Sequence, residues 1–152
     1  PCGWPPPAAL PKGANGRPLC RWCSLEVPAG RRRTFCSEFC VHEWKLRSSP
    51  GYLRECVFQR DRGVCASCAI DCVSALHHLK RQRGPGRILF WAKWGLKPRQ
   101  RTSLWDADHI LPVAEGGGEC DLSNLQQLCL HCHRQATPEL AERLRLRSTK
   151  ID

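Results

Sequence analysis

The chain has 152 residues, 12 of them cysteine, and a formal net charge of +10. That length holds one domain or one domain with a small appendage, and neither a run of 18 apolar residues nor a leader with a charged start and apolar centre is present, which excludes a membrane span and a signal peptide as readings. The charge points to a polyanionic partner, most simply nucleic acid, against the plainer reading of a basic protein with no such partner.

A first residue of Pro rather than Met is what a piece of a longer chain would show. Residues 1–18 are rich in Pro, Gly and Ala and read as a linker. Residues 19–48 read as a cysteine module, with "AGRRRT" as a charged turn between hairpin strands and a helix through "EFCVHEWKLRS". A second helix is expected from Pro50, with Ser49 as its N-cap, to a stop at Gly63. Leu53, Cys56, Val57 and Tyr52 lie on one face of it at helical spacing, Cys56 packing as a small core residue.

From Val73 to Trp105 there is no acidic residue, while Lys80, Arg81, Arg83, Arg87, Lys93, Lys97, Arg99 and Arg101 are interleaved with Phe90, Trp91 and Trp94. The plain reading is an amphipathic helix that packs its aromatics and leaves a solvated basic face. The sharper one is a phosphate-binding surface. Further on, "WDADHILPV" reads as a strand, "AEGGGECDLS" as a turn-rich loop, "NLQQL" as a second short strand and "HCHRQA" as the start of a helix. Thr137, Pro138 and Glu139 then read as the cap of a separate final helix, with Leu140 and Leu144 inward and Arg134, Arg143, Arg145 and Arg147 available to phosphates.

The cysteine spacing favours metal over disulfides. Cys20–Cys23, Cys65–Cys68 and Cys129–Cys132 are C-x-x-C pairs and Cys36–Cys40 is C-x-x-x-C, spacings that bring two thiolates to one tetrahedral zinc. Cys20, Cys23, Cys36 and Cys40 form one closed set, His42 being kept as an ordinary helix residue. Cys65 and Cys68 have Cys129 and Cys132 as their natural partners, so a second zinc would clamp the two ends of the intervening segment. Four thiolates close the coordination sphere, which makes both zincs structural. Cys2, Cys72 and Cys120 remain structural or incidental.

Subtracting those ligands leaves Asp106, Asp108, His109, Asn124, His131 and His133. Phosphodiester hydrolysis needs a base for water and a cation on the scissile phosphate, and this set supplies candidates for both. Neighbouring strand residues point oppositely, so Asp108 and His109 converge only if the strand end is irregular. Asp106 and His131 read as accessory, Asp106 as a second acid near a metal and His131 as a solvent-facing helix residue.

The pattern "DHI-x-P-V-x-x-GGG-x-x-x-L-x-NLQ-x-LC-x-x-CH" resembles the HNH nuclease family, whose ββα-metal fold places two strands and a helix around one divalent ion. The resemblance implies a small zinc-stabilised α+β fold over 49–152, with the basic segment 73–105 as a helical insertion. It also implies His109 as general base, Asp108 and His133 as ligands of Mg²⁺ or Mn²⁺, and Asn124 as an orienting residue, with the motif helix and strand end docked in the minor groove. A His ligand would let Ni²⁺ serve as well. Each residue has a plainer alternative: His109 as a packed strand residue, His133 as a spare zinc ligand, Asp108 as a turn cap, Asn124 as a turn former. The wider run "C-x-x-C…FCS-x-x-C", "YLR-x-x-VF-x-x-x-x-GVC-x-x-C" and "W-x-x-DHI-x-PV" resembles the carboxy-terminal HNH module of Swi/Snf-type annealing helicases. That implies an ATPase elsewhere in a longer chain, a branched or forked DNA substrate and a nuclear location. The end "LRLRSTKID" carries no clamp-binding peptide, so clamp binding through this segment is not expected. The rival readings are a non-catalytic zinc module that binds DNA or protein, and a stand-alone bacterial or phage HNH nuclease.

Overall fold

Ser37 starts the first helix, α1 (Glu38–Ser48), its side chain accepting from the Cys40 N–H at 3.2 Å, as an N-cap serine does. The computed structural model describes residues 6–98, 100–118 and 120–148; Arg99 and Cys2 lie outside them, as does the Arg147 side chain. The chain divides into two compact units, Pro1–Leu53 and Arg54–Asp152. No helix among the described residues is long and apolar enough to cross a membrane.

In the first unit Cys20, Val27 and Cys40 are buried together, with Trp22, Phe35 and Cys36 packed against them. The Arg47 guanidinium lies 4.4 Å from the Trp22 ring centroid. His42 hydrogen-bonds the Tyr52 hydroxyl through Nδ1 at 2.8 Å, which keeps it an ordinary helix residue. The expected hairpin around "AGRRRT" does not form. Among the described residues of this unit the strand pairing is limited to single bridges, Lys12 with Pro18 and Leu19 with Glu26. The Leu19–Glu26 bridge frames the Cys20–Cys23 stretch itself, and Pro18 and Pro28 on either side lack the N–H groups a longer ladder needs.

Helix α2 (Pro50–Asp61) takes its first-turn bond from Ser49, whose Oγ accepts from the Tyr52 N–H at 3.3 Å. Gly63, at φ +86°, follows; a Cβ there would strike Val73. The basic segment is two helices rather than one: α3 (Cys72–Arg81), N-capped by Asp71, and α4 (Gly86–Lys93). Gly84, in the left-handed region at φ +65°, and Pro85 break the run between them. Leu76, Leu79, Trp91 and Trp94 are buried, so the aromatics do pack as expected.

Strands β1 (Trp105–His109) and β2 (Leu125–Cys129) pair antiparallel, with Trp105 opposite Cys129 and His109 opposite Leu125. Helix α5 (Leu130–Ser148) follows and packs on both strands. The separate final helix expected at Thr137–Pro138 is a continuation of α5. Proline removes one ladder donor, and the neighbouring Thr137 hydroxyl donates to the His133 carbonyl at 3.2 Å. Contacts with the two strands carry the helix through the interruption.

α2 grips the hairpin along one stripe, Arg54, Phe58 and Asp61, at the i, i+4, i+7 spacing of a helix face. Phe58 stacks on Trp105 with centroids 5.9 Å apart. The Arg54 guanidinium lies 3.6 Å from the Trp105 centroid and donates to the Trp105 carbonyl, to Ser103 Oγ and to Asp106 Oδ1. The Asp61 carboxylate accepts from the Gln127 N–H at 3.1 Å.

Candidate active site

Eight cysteines form two tetrads, Cys20, Cys23, Cys36 and Cys40 in one unit and Cys65, Cys68, Cys129 and Cys132 in the other, with all four Sγ atoms of each within 4.8 Å of one another. Sγ separations of 3.4 Å for Cys23–Cys36, 3.4 Å for Cys36–Cys40 and 3.7 Å for Cys68–Cys129 approach the edge of roughly 3.8 Å expected of a thiolate tetrahedron with Zn–S near 2.3 Å. The two knuckles share a backbone design. The Cys20 N–H donates to the Leu25 carbonyl, and the Cys65 N–H to that of Ile70. Four residues past each first cysteine stands a non-glycine residue at positive φ, Ser24 at 59° and Ala69 at 58°.

The chemistry of the sulfurs fits a cation. Burial works against ionising Cys20 and Cys65, yet backbone N–H groups aimed at each sulfur outweigh it and hold both thiols near 6. The Cys129 N–H, for example, lies 3.2 Å from Cys65 Sγ. Without an ion the neighbouring sulfurs share protons, and hydrogen bonds to Cys40 and Cys23 push Cys36, and burial pushes Cys129, up to about 12. Cys72 is also pushed up to about 12, by burial, but stands outside both tetrads as a core thiol.

The second tetrad joins the end of α2 to the start of α5, and the β hairpin lies between its halves. Asp108 and His109, at the end of β1, line one cavity of about 420 Å³, opposite Ala136, Thr137, Leu140 and Arg143 of α5. They face it together because the strand ends there: Asp108 Oδ1 turns back to accept the His109 N–H at 2.9 Å. His133, half-buried, stands on the same face of α5 about 5 Å along the axis before Ala136 and Thr137, and is not itself among the residues lining the cavity. Arg143 closes the far wall with an ion pair to Glu115 at 3.2 Å.

Asn124 holds the loop that follows β1. Its Oδ1 accepts from the Leu111 N–H at 2.8 Å, and its Nδ2 donates to the Leu111 carbonyl at 2.9 Å and the Gly118 carbonyl at 3.1 Å. Gly117 is required beneath it, since a Cβ would overlap the Leu111 carbonyl.

Asp106 is not placed for a metal. Its carboxylate is taken by two guanidiniums, Arg54 at 3.0 Å and Arg101 through two bonds of 2.6 and 3.0 Å. Arg101 is therefore engaged within the fold, as is Arg134, which donates to the Trp94 carbonyl at 2.8 Å. His131, though exposed, packs its ring 4.8 Å from that of Trp94. Lys80 and Arg81 end α3, and Arg83 and Arg87 line a separate basic cavity. Lys93 sits over Phe90 and Lys97 is exposed. Arg54 is the residue that sequence reasoning missed; its partners lie about fifty positions away, and no local pattern signals them.

A model of the HNH endonuclease family matches residues 96–139. The crystal structure of the human ZRANB3 HNH domain superposes with a TM-score of 0.51 at 33% identity, covering 66% of this chain and 97% of that one. The chain belongs to the HNH endonuclease family. It is 35% identical over 149 residues to the DNA annealing helicase and endonuclease ZRANB3 of Mus musculus, and 33% identical to that of Homo sapiens. Each match takes in 84% of this chain, which spans 14% of the length of those curated relatives. In HNH terms, β1, β2 and α5 are the ββα unit.

Proposed function

We propose that this HNH chain is a metal-dependent DNA endonuclease module, cutting phosphodiester bonds in branched or forked DNA as part of a longer Swi/Snf-type helicase or translocase of the nucleus. The observation that carries the reading is the presence of Asp108 and His109 on one cavity wall, facing the α5 stripe to which His133 belongs. His109 removes the proton from the attacking water. Asp108 and His133 hold the catalytic ion; one carboxylate and one imidazole beside an open cavity suit Mg²⁺ or Mn²⁺, whose remaining ligands come from water and phosphate. That ion supplies positive charge at the scissile phosphate and leaving oxygen. Asn124 fixes the loop, so that the strand end keeps its irregular shape. Zn²⁺ in each cysteine tetrad is structural, since four thiolates leave no open position. Lys80, Arg81, Arg83, Arg87, Lys93 and Lys97 contact DNA phosphates, while the ββα unit approaches the minor groove.

The test is cleavage of supercoiled and forked DNA by wild type and His109→Ala across Mg²⁺, Mn²⁺ and Ni²⁺. Loss of the base should cost about 10²- to 10⁴-fold in rate with DNA binding retained. Wild-type rates from His109→Ala would end the assignment. Binding without any cut by the wild-type chain in all three metals would favour a non-catalytic DNA-binding zinc module.

A further inference from the structure

A second cavity, of about 390 Å³, lies between the end of α3, the outer face of α4 and the segment entering β1. Lys80, Gln82, Arg83, Arg87, Trp91, Arg101 and Thr102 line it, and no carboxylate does. Arg101 is neutralised by Asp106. Lys80, Arg83 and Arg87 have no ion-pair partner among the described residues, which leaves three uncompensated cations around one concavity. Two buried donors belong to residues of this lining: Trp91 is only 2% exposed, and its Nε1–H and the Arg87 Nε–H have no acceptor among the described residues. Buried donors are nearly always paired in folded proteins, so two orphans among residues of one cationic cavity are what a ligand rich in acceptors would satisfy.

We infer that this cavity receives the phosphomonoester at a DNA strand end. Phosphate oxygens are acceptors only and pair best with guanidinium and ammonium donors, which three of the lining residues supply unpaired. Charge and shape choose the end over the interior of a strand. A backbone diester carries one negative charge and sits on the convex ridge of a duplex, where its neighbours bar entry to a recess. A terminal phosphomonoester carries about −1.5 to −2, matches three cations better, and can enter. Thr102 adds a hydroxyl donor, and Arg101, tied to Asp106 on β1, fixes one wall to the strand that carries Asp108 and His109. The inference rests on the nuclease reading only in taking DNA as the source of the phosphate.

The experiment uses the whole chain carrying His109→Ala, zinc-loaded and without added divalent metal, so that nothing is cut. Fluorescence anisotropy compares one DNA hairpin with a 5′-phosphate, a 3′-phosphate or hydroxyl ends only, and inorganic phosphate serves as competitor. One phosphorylated end should bind about tenfold tighter than the hydroxyl form, a difference of ~1.4 kcal/mol. Arg83→Gln, at an exposed position, and Arg87→Gln should each reduce that preference to within about twofold, weakening the phosphorylated form more than the hydroxyl-ended form. Equal affinity for all ends, or equal weakening of all ends by both variants, would reduce the cavity to a general phosphate patch and overturn the inference. Inorganic phosphate binding as tightly as the phosphorylated end would assign the cavity to soluble phosphate and overturn the strand-end source. Cleavage by the unmutated chain is scored separately: an end preference without cleavage sinks the nuclease reading alone, and cleavage without a preference sinks this one alone.

Discussion

Replacing Asn124 separates two roles that a motif asparagine can have, ligand and brace. Both its amide atoms are committed to the loop: Oδ1 to the Leu111 N–H, and Nδ2 to the carbonyls of Leu111 and Gly118. Three neutral hydrogen bonds at about 0.5–1.5 kcal/mol each would total roughly 1.5–4.5 kcal/mol. Leu111 and Gly118 are exposed, so water can replace the lost partners and the lower end applies, about 2 kcal/mol. At 1.36 kcal/mol per decade that is about a thirtyfold rise in loop opening. Amide hydrogen exchange reads it at Ile110 and Gly117, whose own acceptors, the Asn124 and Pro112 carbonyls, are untouched by Asn124→Ala. Exchange at both should rise about thirtyfold, while the amide of Asp106, at a hydrogen-bonded position opposite Leu128, is unchanged. Cleavage should fall, and the metal concentration for half-maximal rate should stay within about twofold. Asn124→Asp sharpens the contrast, because it keeps the acceptor, loses both donors and sets a negative oxygen against two carbonyls. A brace predicts that Asp is no better than Ala. A ligand predicts that Asp holds the ion as well as Asn or better. Wild-type cleavage by Asn124→Asp, together with a tenfold shift of the metal requirement in Asn124→Ala, would refute the reasoning.

Metal analysis by mass spectrometry should give two zincs per chain for wild type and Cys72→Ser but one for Cys68→Ser; retention of two in the last would break the second tetrad. Asp106→Asn should lower the urea midpoint by an amount equivalent to roughly 1–2 kcal/mol, because Arg54 and Arg101 lose a shared, partly exposed carboxylate. It should leave the catalytic metal requirement in place, and a tenfold rise in that requirement would restore Asp106 as a second acid at the ion.

The HNH unit was legible because its chemistry is written at short spacing. "C-x-x-C" and "DH" each place their donors within one turn or one strand end, and the loop between Leu111 and Asn124 declares itself by Gly116–Gly118. What sequence could not reach were interactions set by tertiary packing. The basic segment reads as one helix until Gly84 and Pro85 are given their backbone angles. Pro138 reads as a start because isolated helices seldom tolerate it, but packing against both strands overrides that local preference. Arg101 and Arg134 count as phosphate ligands when only charge is visible, whereas the fold spends both on internal acceptors.

That diversion gives the basic surface its form. Asp106 follows directly on Trp105, and together they draw in Arg54 from α2 and Arg101 from the insertion, so the acid at the centre of "WDADH" joins three segments rather than binding an ion. With Asp106 occupied, Asp108 is the strand's remaining carboxylate, at the point where the strand ends beside His109. The second tetrad acts on the other side of the same cavity. Cys129 ends β2 and Cys132 lies in the first turn of α5, so closing the knot on Cys65 and Cys68 fixes the angle at which α5 leaves the sheet. His133 is the next residue after Cys132 and so is held beside the anchor, whereas a change in that angle would displace the cavity wall further along α5 by more. A metal held by the second tetrad would thereby anchor the backbone from which His133 projects, one peptide bond beyond Cys132.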